Sequence, residues 1–154
     1  MADTVVDIDL GGTSALLDRV ADNLENTAPL MQDLSEVIHS GVEGNIRRQE
    51  GPGGEPWKDL ATSTKDQRRR KGYWPGQKLV RTGSMIASVQ PFHSGTEAGV
   101  STNKPQAALL HFGGTPDMPP GPAAVPARPW LYISEATREE IDATLEGFNE
   151  EAWR

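Results

Sequence analysis

The chain has 154 residues, 36% of them hydrophobic and 24% charged, with a formal net charge of −7. That length fits one domain with a real core, while 12 prolines and 16 glycines commit much of it to loops, turns or extended segments. The lack of cysteine excludes a disulfide scaffold and any thiolate metal site, and His39, His93 and His111 lack the spacing of a zinc site.

In chain order, Val6, Ile8 and Leu10 alternate with Asp7 and Asp9, which predicts a short half-buried strand over 4–10, ended by Gly11-Gly12. Thr13 or Ser14 then caps a helix with Leu16, Leu17, Val20 and Leu24 at helical spacing. Pro29 breaks the pattern, so Thr27 is expected to cap a second helix with Pro29 in its first turn. Met31, Leu34, Ile38, Val42 and Ile46 give that helix one apolar stripe to about Arg48, read as core or subunit interface.

Residues 51–56, Gly-Pro-Gly-Gly-Glu-Pro, form a turn that carries Trp57 into the fold; they lack the Gly-Lys-Ser/Thr ending of a phosphate loop. The span 51–81 reads as a long basic loop with one short helical turn near Ser63 to Arg69. Ser94-Gly95 predicts a hairpin between strands 86–93 and 97–102. Residues 105–112 form a short helix ended by Gly113-Gly114. Prolines crowd 115–129 into a stiff extended arm that is poor in backbone donors. Ser134 caps a last helix, with a second capping box from Thr137 to Glu140 and an apolar face of Ile141, Leu145, Phe148 and Ala152.

Charge is unevenly placed. Residues 47–81 hold ten Lys/Arg against four Asp/Glu, and the remainder holds five against eighteen, so the surface has faces of opposite sign. Arg68, Arg69, Arg70 and Lys71 could touch phosphates, but they read better as a solvated loop that pairs with an acidic helix of an adjacent subunit. Around them Trp57, Tyr73 and Trp74 form no stacking ladder. Thr82-Gly83-Ser84 is a tight turn feeding a strand, with Gly83 at positive φ and the hydroxyls on local amides. No His or Asp stands near Ser84 in sequence, so it is not read as a nucleophile. In Arg128-Pro129-Trp130, Trp130 fills an apolar pocket, Pro129 fixes the approach and Arg128 pairs with a carboxylate. That triplet either anchors the last helix within the chain or makes a subunit contact.

Four segments in order carry a resemblance: Glu55-Pro56-Trp57-Lys58-Asp59-Leu60; Leu79-Val80-Arg81-Thr82-Gly83-Ser84-Met85; Leu109-Leu110-His111-Phe112-Gly113-Gly114; and Pro126-Ala127-Arg128-Pro129-Trp130-Leu131. Over about residues 10–150 the chain resembles the phage virion-morphogenesis family, which includes tail-completion proteins of P2-like phages and their counterparts in Mu-like phages. More distantly it is similar to phage neck and tail-component proteins. The resemblance implies one α+β domain over 1–154, its antiparallel sheet packed by the N-terminal helix pair and the C-terminal helix. It also implies a structural role without catalysis, metal or cofactor.

The expected assembly is a homo-oligomeric neck ring, a hexamer, that completes the tail and joins it to the head between connector (adaptor) proteins and the tail-tube protein. Packaged DNA would pass its lumen without specific binding, along walls made by the acidic stretches 1–46 and 135–151. Trp57, Arg68 to Lys71, Thr82, Gly83, His111, Phe112, Gly113 and Arg128 to Trp130 are the candidate structural or interface residues. The N-terminus lacks the regions of a signal peptide, and no apolar run nears the roughly 20 residues that span a bilayer. The chain is therefore expected to be soluble, made in the host cytoplasm and ending in the virion without touching a membrane. The rival reading is a small DNA-binding or regulatory protein that uses 65–81.

Overall fold

The computed structural model describes residues 13–152, so the strand expected over 4–10 lies outside the described residues. Helix α1 covers Thr13–Glu25 and α2 covers Ala28–Arg48. Pro29 sits in the first turn of α2, where its missing N–H costs nothing. Thr27 occupies the cap position but makes no capping bond; its hydroxyl donates instead to the carbonyl of Gly95 in the hairpin loop. At the far end Arg47 and Arg48 complement the helix dipole, and Gln49 closes the helix in a left-handed conformation, φ 57°. Gln49 also receives the Lys78 amide on its side-chain oxygen and the Trp57 amide on its carbonyl.

Strands β1 (Val89–His93) and β2 (Ala98–Thr102) form an antiparallel pair in which Val89 faces Thr102 and His93 faces Ala98. Ser94 closes the loop: its amide donates to the Glu97 carbonyl, and its hydroxyl accepts from the amides of Thr96 and Glu97. The first strand is shorter than expected, because Ile86–Ser88 forms a 3-10 turn and the Ser88 hydroxyl is bonded to Met85 and Thr102.

Helix α2 is the scaffold. It packs across both strands on one side and along α5 (Glu135–Ala152) on another, and α1 rests on α5. The fold is α+β with helices on an antiparallel sheet. The core joins Val42 and Ile46 of α2 to Trp57, Leu79, Met85, Val89, Ala107 and Trp130. No helix among the described residues is long and apolar enough to cross a membrane.

Three further expectations change. The helical turn in the basic loop is a nine-residue helix, α3 (Thr62–Arg70), whose Thr-Ser-Thr-Lys-Asp-Gln-Arg-Arg-Arg sequence has no apolar periodicity to announce it. The proline-rich arm is not extended throughout: bonds from Met118 to Thr115, Ala123 to Pro119 and Val125 to Pro122 coil its first part into turns. Thr137 to Glu140 is no second capping box, since these residues are inside α5, which Ser134 caps by accepting the Thr137 amide.

Candidate functional site

Most of the expected residues fall into two places. The first is a clamp around 128–132, an irregular segment between the proline arm and α5. Trp57 (4% exposed) donates its indole N–H to the Pro129 carbonyl, and Trp130 (3%) donates to the Ala107 carbonyl in α4 (Gln106–Phe112). Asn45 is fully buried in α2, and its amide donates to the carbonyls of Trp130 and Tyr132. The Tyr132 hydroxyl donates to Glu50, and the Arg128 amide to Leu110. His111 receives the amides of Trp130 and Leu131 on Nδ1, both at 3.3 Å.

Arg128 departs from expectation. It pairs with no carboxylate; its buried guanidinium donates to the backbone carbonyls of Lys58 at 3.0 Å and Asp59 at 3.1 Å. A loop carbonyl taken from water needs a donor, and Arg128 supplies one to each of two. Burial, and then the charge of Arg68, hold Arg128 below the usual arginine value, while Asp59 opposes them. Gly113, at φ 81°, ends α4 where a Cβ would stand 2.7 Å from the Ala127 nitrogen. The arm crosses the helix end at that point, so only glycine fits.

The second place is an open cleft of about 400 Å³ between α3, α4 and the Thr82–Ser84 turn. Gly83 has φ 77°, as the turn requires. Thr82 accepts the Ser84 amide weakly, at 3.4 Å, and its hydroxyl donates to the Ser84 hydroxyl at 3.2 Å. Among the described residues, no histidine or carboxylate is hydrogen-bonded to Ser84.

Arg68 lines this cleft and is not solvated: it is 7% exposed, and its terminal nitrogens donate to the carbonyls of Gln77 (2.7 Å) and Lys78 (2.8 Å). Its neighbours behave as the basic-loop reading expects of surface residues. Arg69 pairs with Asp66 at 2.7 Å on the exposed side of α3, and Arg70 and Lys71 are exposed. Phe112 stays outside both places. It is 77% exposed, edge-on to His111, beside an apolar hollow floored by Ala107 and Trp130.

Two residues escaped sequence reasoning. Asn45 had a signal, because a polar side chain three residues after Val42 and one before Ile46 falls on the apolar stripe of α2. Arg81, which lines the cleft opposite Arg68, had none. Among the described residues, no group of three or more His, Asp or Glu is placed to hold a metal ion.

Residues 8–147 match the phage virion morphogenesis family. The chain is 33% identical over 130 residues to the FluMu G protein 2 of a Mu-like prophage in Haemophilus influenzae, covering 84% of this chain and 82% of that one. It is 32% identical over 109 residues to protein G of Escherichia phage Mu, named for capsid assembly, covering 70% of each. No solved structure matches significantly.

Proposed function

Because the chain belongs to the phage virion morphogenesis family, we propose that it is a structural protein of a tailed-phage virion that forms a six-fold ring at the neck and joins head to tail. The family match across residues 8–147 carries this reading. A geometric function suits the clamp, whose buried bonds tie α2, α4 and the 128–132 segment together.

The surface supports self-assembly. A domain of this size leaves Leu17, Leu24, Phe92, Phe112 and Leu131 exposed, and such side chains are commonly covered by neighbouring subunits. One face of the ring would meet the connector proteins and the other the tail-tube protein. The exposed carboxylates Asp18, Asp22, Glu25, Asp33 and Glu36 of α1 and α2 would line a lumen that repels passing DNA. Against the DNA-binding rival, the basic segment offers phosphates less than its sequence suggests: Arg68 is buried, and Lys65 and Arg69 are paired with Asp59 and Asp66.

Electron microscopy tests the reading. Purified protein should show rings, alone or with connector and tube proteins, and a phage lacking the gene should release filled heads and tails that stay apart. A chain that remains monomeric beside both partners would refute it, as would normally joined particles from the deletion phage.

A further inference from the structure

Arg68 carries an unusual burden. It is more than nine-tenths buried, its Nε has no hydrogen-bond partner, and among the described residues no carboxylate lies within ion-pair distance of it. The nearby charges it meets are of its own sign, since Arg81 stands close enough across the cleft to repel it and Arg68 in turn repels Arg128. Arg81 is exposed and, among the described residues, also lacks an anionic partner. A buried cation held by two carbonyls alone leaves a large electrostatic cost unmet, and an anion in the cleft would meet it. The cleft is furnished for one: Thr64, Thr82, Ser84 and Gln106 line it alongside the two arginines, with hydroxyl and amide donors.

The complementary surface is on the same chain. Glu135, Glu139, Asp142 and Glu146 of α5 are all exposed, and their spacing puts them on one stripe. None of the four is in an ion pair with another described residue. Like charges three and four residues apart destabilise a helix; Arg138, exposed between Glu135 and Asp142, offsets part of that repulsion, and the remaining excess of negative charge gains from a partner. The packed face of α5, with Ile141 and Phe148 half-buried, is turned towards a different direction.

We propose that the Arg68–Arg81 cleft is a carboxylate-binding site that receives the acidic stripe of α5 from a second copy of this chain. Two different surfaces of one protein then meet head to tail, which is the kind of contact that closes a ring. The inference rests on the ring reading above and deepens it by naming the contact. It also moves residues 135–151 from the lumen wall expected from sequence to the subunit interface, leaving α1 and α2 to face the lumen.

Two full-length variants test the contact by sedimentation velocity. R81E places a carboxylate in the cleft without disturbing the buried Arg68, and E139K/D142K/E146K reverses the stripe. Each alone should raise the concentration for half-assembly by roughly tenfold or more, the lower range for close charge pairs at interfaces. Mixed in equal amounts, the two should assemble better than either alone, since the unaltered cleft of the stripe variant then meets the acidic stripe of R81E, and the new carboxylate of R81E offers the reversed stripe an opposite charge. Restoration requires both variants to be folded, and Arg81→Ala gives a milder single change with a smaller loss.

If wild type assembles and R81E assembles equally well, the cleft is not the contact and the ring stands. If wild type stays monomeric even with connector and tube proteins, the ring reading fails and takes this inference with it. A short DNA duplex bound by wild type and lost in R81E, with self-association unchanged, would assign the cleft to phosphate and overturn the proposal.

Discussion

His111 is the residue whose chemistry is most exposed to its surroundings. Burial lowers its pKa from the ordinary 6.5, and the same ring nitrogen accepts the Trp130 and Leu131 amides, which a proton on Nδ1 would displace. With the folded value below the unfolded one, the unfolded chain binds the proton first as pH falls. The stabilising effect is therefore complete above about pH 6.5 and is lost as pH drops through the folded pKa. The melting temperature of wild type should fall between pH 7 and pH 5.5 by more than that of His111→Asn, whose amide cannot titrate. Parallel curves for the two proteins would show that the imidazole is indifferent to its two donors.

At the scale of elements, the contact between α2 and α5 depends on one small residue. A Cβ on Gly41 would lie 2.3 Å from the Thr137 hydroxyl and 2.6 Å from its methyl. Thr137 cannot swing away, because it is buried and bonded to Ser134 at the start of α5. Alanine at 41 would gain about 1 kcal/mol of helix propensity but cost about 1–3 kcal/mol in overpacking. Gly41→Ala should therefore lower the melting temperature by a few degrees, with the loss concentrated in α5. G41A/T137A should recover most of it, because the obstacle is then gone. A double variant no better than the sum of its parts would place the cost elsewhere.

Across the whole molecule, α2 carries the hairpin on one side and α5 on another, and a single cluster around Val42, Ile46 and Trp130 holds the centre. Phe112 at 77% exposure and Leu24 at 67% are left to solvent in the single chain. If neighbours in a ring cover such side chains, association stabilises only the folded chain, and stability becomes a function of concentration. Raising the protein from about 1 to about 100 µM should then raise the melting temperature measurably, by mass action. A melting temperature independent of concentration would mean that the subunit is stable without its neighbours' help.

The features readable from the residues alone are local or periodic. The apolar stripe of α2, its proline start and its end near Arg48 were legible, because helix formation and amphipathic burial read residues three and four apart. The hairpin turn at Ser94 and the positive φ of Gly83 were legible for the same reason. So was the family, through four segments in order. Where the long polar side chains went depended on packing between distant segments. Arg68 and Arg128 were buried because the carbonyls of 77–78 and 58–59 came to rest beside them, and nothing in the neighbouring residues records that meeting. Arg69, one residue along the same helix as Arg68, lies on the exposed side and pairs with Asp66. The adjacent side chains point about 100° apart, and the packing of distant segments selects which of them is enclosed.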